Sequence, residues 1–303
     1  MDPQVAIVIV SYNTRDLLLE CVASAFESAQ DRSVHLVVVD NASEDGSYEA
    51  VRDAYPRATA IRNPANLGFG AACNQGIRAT SSPLVLLLNS DARLTPQAFG
   101  AMCDCLEQNA RCGAAGCRLI DSVGSEVINT RNFLTPLNQA LELAGIKLLR
   151  GRLQRTRRPK PDRHDCTVDW IDGACLMLRR AALEGAGLFD ERFFMYSEDE
   201  DLCFRLRKLG WLVCFCGEGT AVHHGAASTR LKKAEMLRSF YVSQMLFLSK
   251  HRRPPSAFLY SVLMKTVLGL KHWLLRDVHR RKIAGEQLRA FKEATRQARN
   301  AHR

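Results

Sequence analysis

The chain lacks several features that mark whole classes of proteins. No apolar run among its 303 residues reaches about 18 uncharged positions, which argues against an ordinary transmembrane helix. The opening residues have no basic segment of the kind that starts a secretory signal, so the sequence predicts a cytoplasmic protein. There is also no P-loop, no GxGxxG dinucleotide motif, no CxxC pair and no internal repeat.

Composition is otherwise that of an average globular protein, with 47% hydrophobic and 24% charged residues. This length is enough for one large domain or two ordinary ones. The eleven cysteines are scattered, with CxC spacing at Cys103/Cys105 and Cys214/Cys216. Zinc sites usually combine CxxC or Cys/His pairs, so we expect reduced, mostly buried thiols that behave as small apolar residues.

The net charge of +10 is unevenly distributed along the chain. Residues 147–163 carry eight Lys or Arg against one acid, and residues 276–303 carry nine against three, so the rest is slightly acidic. Two basic segments of this kind suit a phosphate-bearing partner, namely an anionic lipid, a pyrophosphate-linked substrate or a nucleic acid. Composition does not choose among these three.

The first 90 residues alternate between apolar runs typical of buried strands and segments with helical spacing. This alternation predicts an α/β fold with a mixed, mostly parallel sheet flanked by helices. The predicted strands are 5–10, 35–39, 59–62 and 84–88. The predicted helices are 15–29, 68–79 and one that follows the turn at 41–47, with Asp45 or Ser47 as its N-cap.

The second half of the chain is less regular. Gly173 interrupts an apolar run and marks a bulge or a close approach of backbone. A helix is predicted at 199–209, and Gly210 ends it. The remaining predicted elements are strands at 113–119, 170–178, 211–216 and 220–222, an exposed basic loop at 147–165, and a helical extension from about residue 230.

Polar residues follow three of the predicted parallel strands. In such sheets a ligand binds beyond the carboxyl ends of the strands. The three ends read Ser11-Tyr12-Asn13, Asp40-Asn41 and Asn89-Ser90-Asp91. The last triplet is a degenerate form of an Asp-x-Asp pattern, in which a carboxylate holds Mg2+ or Mn2+ against a diphosphate.

Three further motifs carry residues suited to chemistry. Glu198–Asp201 is a run of four acids that follows an aromatic cluster, and carboxyls crowded beside apolar rings have raised pKa values that suit a general base. The pair His223-His224 is either structural or part of a metal site, because imidazole suits Mn2+-like ions. The glycine-rich junction from Asn66 to Gly70 can present backbone N–H groups to an anion.

Eight motifs in order resemble a family 2 glycosyltransferase of the GT-A fold, and more narrowly its bacterial rhamnosyltransferase branch. The resemblance covers residues 5 to about 250. The motifs are VIVSYN from Val8, VDNASEDGS from Val39, NLGF from Asn66, LLNSDA from Leu87, GACLMLRR from Gly173, FDE from Phe189, EDxDL from Glu198 and VHH from Val222.

The resemblance implies a role for each candidate residue in an inverting sugar transfer for cell-envelope polysaccharide biosynthesis. Asp199 would be the base that deprotonates the acceptor hydroxyl. Asp91, with His223 or His224, would hold Mg2+ or Mn2+ against the donor diphosphate; Asn89 stands where many relatives carry Asp. The residues expected to bind the dTDP- or UDP-sugar donor are Ser11, Tyr12, Asn13, Asp40, Asn66, Gly68, Asn89 and Ser90. Those expected to face a saccharide or polyprenyl-diphosphate-linked acceptor are Trp170, Asp172, Gly173 and Glu198.

The resemblance also sets the expected domains. Residues 1–228 would form the GT-A domain, with a nucleotide-sugar half to about 118 and an acceptor half from about 119. Residues 229–303 would form a basic, amphipathic helical extension. One helical stripe of this extension is made of Leu259, Leu263, Val267, Leu270, Leu274 and Val278. It predicts either a helix packed on the domain or an interfacial helix on the inner, anionic face of the plasma membrane.

Two other functions compete with this interpretation. A sugar nucleotidyltransferase shares the α/β core, but it should open with a glycine-rich basic loop after the first strand, where this chain has Ser11 to Arg15. A nucleic-acid-binding protein would fit the charge, but the basic segments lack interleaved aromatic residues. A processive polysaccharide synthase would need several membrane spans. We therefore expect no nucleic-acid partner.

Overall fold

The computed structural model describes residues 4–144, 166–225, 233–253, 255–275 and 277–300. The predicted basic loop at 147–165 lies outside these residues. The strands are β1 Val5–Ser11, β2 Val34–Asp40, β3 Thr59–Arg62, β4 Leu84–Asn89, β5 Ala92–Arg93, β6 Cys112–Ile120, β7 Glu126–Val127, β8 Thr130–Arg131, β9 Cys166–Thr167, β10 Trp170–Ile171, β11 Cys175–Arg179 and β12 Leu212–His223. The helices are α1 Arg15–Ala29, α2 Ser47–Ala54, α3 Phe69–Arg78, α4 Pro96–Gln108, α5 Pro136–Ala144, α6 Arg180–Gly185, α7 Glu198–Lys208, α8 Lys233–His251, α9 Pro255–Leu274 and α10 Val278–Asn300.

The main sheet has the strand order β3-β2-β1-β4-β11-β6-β12-β5, with β7 and β9 added beside β6 and β12. The first four strands are parallel, whereas β11 runs antiparallel between β4 and β6. Strands β2 and β3 lie on one side of β1. The chain then crosses to the other side of β1, where β4 pairs with it. The predicted fold class, a mixed and mostly parallel sheet flanked by helices, is confirmed.

The apolar runs of β1, β2 and β4 form strands because they are buried on both faces of the sheet. Helix α3 packs very close to β1, since a Cβ on Gly76 would collide with the Val8 side chain. The four predicted N-terminal strands and the helices α1 and α3 are confirmed, with ends that differ by at most one residue. The ten cysteines whose side chains are described are all free and buried, as predicted.

Three local predictions need correction. The predicted strand at 170–178 is two strands, because residues 172–174 leave the ladder at Gly173. The two predicted strands at 211–216 and 220–222 are one strand, β12, which continues through a register irregularity between Cys216 and Thr220. The N-cap of α2 is Gly46, in the left-handed conformation, although Asp45 does accept the backbone N–H of Ser47.

The chain divides into two compact units. The first contains the sheet, from residues 4–131, 166–192 and 198–225. The second contains α5, residues 193–197 and helices α8, α9 and α10. Its interior is aromatic, with the Phe291 ring 5.1 Å from Tyr241 and 5.7 Å from Tyr260. None of the described helices is both long and apolar enough to cross a bilayer. The boundaries predicted at residues 118 and 228 stay predictions.

Candidate active site

The candidate site begins at the carboxyl ends of three adjacent parallel strands. In the register of the sheet, Ser11 of β1 lies beside Asp40 of β2, and Val10 lies beside Asn89 of β4. Neighbouring strands are about 4.8 Å apart, so these ends form one polar edge. The strand order reverses between β1 and β4, and this switch point is where open α/β sheets form a ligand crevice.

Asp40 is fully buried at this edge. Its Oδ2 accepts the backbone N–H of Ser43 at 3.0 Å. Its Oδ1 is also buried, and it has no hydrogen-bond partner within the described parts of the chain. An unpaired buried acceptor costs about 1–3 kcal/mol, and more when it is charged. A ligand that brings an N–H or O–H donor to this oxygen would remove that cost.

The loop after β1 is tied to the loop after β2. The Asn13 backbone N–H donates to Ser43 Oγ at 2.9 Å, while Asn13 Oδ1 accepts the Glu44 N–H at 2.8 Å. Asn13 itself has a φ of 54°, a left-handed conformation that Asn tolerates better than most residues. Tyr12, between Ser11 and Asn13 in the sequence, is half-buried.

A chain of hydroxyl groups links β1 to β4. Ser11 Oγ lies 3.1 Å from Thr14 Oγ1, which lies 2.8 Å from Ser90 Oγ. All three side chains are buried. Their hydrogen bonds fix the loop after β1 against the loop after β4, so Ser11 and Ser90 hold the edge together.

Asn66 and Gly68 fix the conformation of the loop between β3 and α3. Asn66 Oδ1 accepts from Asn41 Nδ2 at 2.9 Å and from the Gly68 N–H at 3.0 Å. Gly68 has a φ of 87°, which a side chain would strain. Asn41 Oδ1 in turn accepts the Leu67 N–H. The amide oxygen of Asn66 is therefore engaged by the protein, which favours a supporting role.

The Asp91 carboxylate lies against His223. Asp91 Oδ1 is 3.2 Å from His223 Nε2, and Asn89 Nδ2 is 3.3 Å from the same ring nitrogen. The antiparallel pairing of β12 with β5 places His223 opposite Ala92 and so brings its ring to Asp91. His224 instead donates its backbone N–H to the Asp91 carbonyl oxygen. Of the two histidines, His223 is the one whose ring meets the carboxylate.

This pair fits a Mg2+ or Mn2+ ion that takes its other ligands from a substrate. One carboxylate oxygen and one imidazole nitrogen are donors that Mn2+ accepts, and Mg2+ commonly uses one or two carboxylates plus phosphate oxygens. Among the described residues, the one cluster of three metal-ligand side chains is Cys105, Cys112 and Cys214. Among the residues that the structure describes, Asp91 and His223 offer two ligand atoms, so a bound ion would take its other ligands from substrate or water.

Asp199 lies in the first turn of α7, where the positive end of the helix dipole favours a carboxylate. Its Oδ2 accepts the Gly173 N–H at 2.9 Å, and its Oδ1 accepts the Glu200 N–H at 2.8 Å. A Cβ on Gly173 would lie 3.2 Å from the Phe69 ring, so a side chain there would require that ring to shift slightly. Ala174 next to it accepts from the Asn89 N–H, so Asp199 reaches the same edge as Asn89.

Three carboxyls share this part of the site, and burial raises the pKa of each. Burial raises the pKa of Asp199, while the N–H groups of Gly173 and Glu200 oppose the shift. Burial and the Asp199 charge hold the pKa of Glu198 well above its ordinary value. Burial and the same charge raise the pKa of Asp172 to about 7, although Arg131 and His223 oppose it. Burial therefore disfavours the charged form of all three carboxyls, while Asp199 keeps two hydrogen bonds that favour its charge.

Arg131 is the charged residue that the sequence analysis missed. Its Nε lies 3.7 Å from Asp172 Oδ1, and its guanidinium lies 6.0 Å from the centre of the Trp170 ring. The pairing of β8 with β10 places Arg131 directly opposite Trp170. Strand β8 has two residues and no periodicity, so no sequence signal marked it. Thr14 and Ser43 were also missed, although Thr14 directly follows the motif from Val8 and Ser43 stands inside the motif from Val39.

A family model named Glycosyl transferase family 2 matches residues 6–185. An N-acetylglucosaminyl-diphospho-decaprenol L-rhamnosyltransferase from Mycobacterium tuberculosis is 30% identical over 257 residues, which is 76% of this chain and 80% of the relative. The rhamnosyltransferase WbbL of Escherichia coli K12 is 29% identical over 101 residues, or 33% of this chain and 38% of the relative.

Solved structures show the same fold at low identity. A mannosyltransferase from Pyrobaculum calidifontis, in complex with GDP-Man and Mn2+, superposes with a TM-score of 0.58 at 16% identity, covering 98% of this chain and 87% of the other. GalNAc-T7 with UDP, GalNAc and Mn2+ superposes with a TM-score of 0.61 at 12% identity, covering 99% and 58%. These likenesses identify the GT-A architecture of the chain.

Proposed function

Because this chain belongs to glycosyl transferase family 2, we propose that it is an inverting rhamnosyltransferase of cell-envelope polysaccharide biosynthesis. The donor in this proposal is a dTDP- or UDP-sugar, and the acceptor is a hydroxyl of a saccharide or of a polyprenyl-diphosphate-linked glycolipid. The observation that carries the proposal is the 30% identity, over 76% of this chain, to a relative named for rhamnosyl transfer onto a decaprenol-linked sugar.

The donor nucleotide is proposed to lie over the ends of β1 and β2. The buried, unpaired Oδ1 of Asp40 supports this, because a ribose hydroxyl or a base N–H would satisfy it. Tyr12 and Asn13 would line the same pocket from the loop after β1. Ser11 and Ser90 keep this edge in shape through Thr14, and their hydroxyl groups retain the capacity for a further hydrogen bond to the donor.

The diphosphate is proposed to lie beside Asp91 and His223, which would hold Mg2+ or Mn2+ there. A bound divalent cation supplies a Lewis acid that neutralises charge developing on the leaving diphosphate. Asn89 keeps the His223 ring in place through its amide, at 3.3 Å. Asp91, 8% exposed, is screened from bulk water, which strengthens its interaction with a cation.

Asp199 is proposed to be the base that takes the proton from the attacking hydroxyl. Its raised pKa makes it a better proton acceptor than an ordinary Asp, and the two backbone N–H groups hold it in a fixed orientation. A single displacement with one such base inverts the anomeric carbon.

The acceptor is proposed to approach over Trp170, Asp172 and Gly173. An indole face packs against the apolar face of a sugar ring, and Asp172 can accept from a sugar hydroxyl. Arg131 is placed to bind an anionic acceptor, because its guanidinium is half-exposed and stands over Trp170. A diphosphate-linked glycolipid would offer such an anion.

Family membership favours glycosyl transfer over the two alternatives, a sugar nucleotidyltransferase and a nucleic-acid-binding protein. The proposal is tested by a donor screen that measures released nucleoside diphosphate, with Mn2+, with Mg2+ and with a chelator. We expect turnover with dTDP-rhamnose, a saccharide diphosphate-lipid acceptor and either metal. Turnover with a different sugar nucleotide alone would overturn the rhamnose assignment and leave the family intact.

A further inference from the structure

Helix α9 carries large apolar side chains that are exposed to solvent on one of its faces. The helix buries one narrow strip, made of Tyr260, Met264 and Leu268. This strip is not the stripe that the sequence predicted, because Leu259, Leu270 and Leu274 of that stripe are exposed. The exposed large apolar residues of α9 are Phe258 at 70%, Leu259 at 49%, Val262 at 44%, Leu270 at 50%, Trp273 at 75% and Leu274 at 60%.

Most of these side chains share one side of the helix. At about 100° per residue, Phe258, Val262 and Trp273 fall within roughly 60° of one another, opposite the buried strip. Leu259 and Leu270 lie further round the helix and widen this exposed side. The apolar face, defined by these five residues and Leu274, is a continuous stripe rather than a scatter of single exposed residues. Such a patch marks an interaction surface.

A basic cleft borders the apolar face. Lys265 of α9 and Lys292, Thr295 and Arg296 of α10 line a space of about 370 Å³. Lys265 follows Val262 by three positions, so the two side chains are neighbours on the helix surface. Around them, residues 233–300 carry fifteen Lys or Arg and four Asp or Glu. A cationic cleft at the edge of an apolar stripe is the pattern of a helix that lies in a membrane interface.

We propose that the apolar face of α9 docks on an anionic lipid bilayer, with its side chains at the acyl boundary and a lipid phosphate in the basic cleft. Charge complementarity selects this occupant. A second copy of the chain would bring two strongly basic surfaces together, whereas an anionic leaflet attracts them. The proposal goes beyond the proposed function, since the surface lies outside the candidate active site, and either can fail without the other.

The test uses the full chain and sedimentation with vesicles. At low salt we expect binding to vesicles of equal phosphatidylglycerol and phosphatidylcholine, and none to phosphatidylcholine alone. The triple variant Lys265→Gln, Lys292→Gln, Arg296→Gln should lower the partition coefficient by roughly 10²-fold, at about fivefold per cation near an anionic surface. No pelleting of the wild-type chain with the anionic vesicles would overturn the proposal.

A second variant separates docking from simple charge attraction. Phe258→Gln, Val262→Gln and Trp273→Gln together keep every charge and should weaken binding at least tenfold. The matched control is Val123→Gln, which changes an 82% exposed apolar residue far from α9 in sequence and should bind as the wild type does. Equal binding by the apolar triple variant would overturn the proposal, because adsorption would then be electrostatic only.

The fluorescence of Trp273 reports how deeply α9 enters the bilayer. Lipids brominated in the upper acyl chain should quench the tryptophan fluorescence of the wild-type chain, and the lipid-dependent part should vanish in Trp273→Phe. Size-exclusion chromatography tests whether a second copy of the chain occupies the apolar face instead. A concentration-dependent dimer that the apolar triple variant abolishes, with no vesicle binding, would assign the face to a second copy and overturn the proposal.

Discussion

Replacing Asp199 by Asn should remove transfer while donor binding persists. The side chain receives two backbone N–H groups, from Gly173 at 2.9 Å and Glu200 at 2.8 Å. An Asn keeps one acceptor oxygen and turns an NH2 group toward the other donor, which costs about 1–3 kcal/mol of stability. Loss of the base should lower kcat by about 10²–10⁴-fold, because general-base catalysis supplies that much.

The assay must separate these two effects. Nucleoside diphosphate release is measured with saturating donor and acceptor, donor affinity by calorimetry, and stability by thermal melting. The matched control is Asp201→Asn, two positions along α7, whose buried carboxylate pairs with Arg205 at 2.7 Å. Weakening that pair should cost on the order of 3 kcal/mol of stability while kcat per folded molecule stays near wild type.

The two variants therefore differ in turnover. Both should lose stability, but Asp199→Asn should also lose turnover, whereas Asp201→Asn should keep kcat per folded molecule near wild type. If Asp199→Asn retained kcat within about threefold of wild type, the base assignment would be refuted, since the expected loss from general-base catalysis is at least about 10²-fold.

Three further predictions concern the metal, the pH profile and the fold. Asp91→Ala should abolish the Mn2+-dependent part of donor binding in calorimetry; an unchanged metal dependence would place the ion elsewhere. The transfer rate should fall as the pH drops through the raised pKa of Asp199, because the base must be ionised. Arg131→Gln should move that midpoint upward, because the positive charge of Arg131 lowers the pKa of Asp199; a downward shift in the pH–rate profile would contradict it. Gly219→Ala should lower the free energy of unfolding by about 1–3 kcal/mol, and with it the urea midpoint, because the added Cβ would collide with the Ala98 backbone. An unchanged midpoint would mean that α4 can move away.

The strands and helices of the first 90 residues were predictable because their apolar residues recur with the spacing of a strand or of a helix. Runs such as Val5–Val10 are apolar throughout, which a strand covered on both faces requires. Weaker patterns misled the prediction. Cys216 to Thr220 contains two glycines and was expected to break a strand, yet neighbouring β6 supplies pairing partners on both sides of the irregularity. A local pattern cannot report such a partner.

The sequence alone determined that carboxylates and amides follow the strands, because strand ends and their polar residues are local features. Only the tertiary structure decided which of them meet. It brought the ring of His223 to Asp91 through the β12–β5 pairing, and placed Arg131 over Trp170 through the β8–β10 pairing. It also decided which side of α9 is buried, since an apolar helix has several stripes and packing against α10 selects one. Contacts between residues far apart in the chain depend on how strands pair and helices pack, and no short window of sequence contains that information.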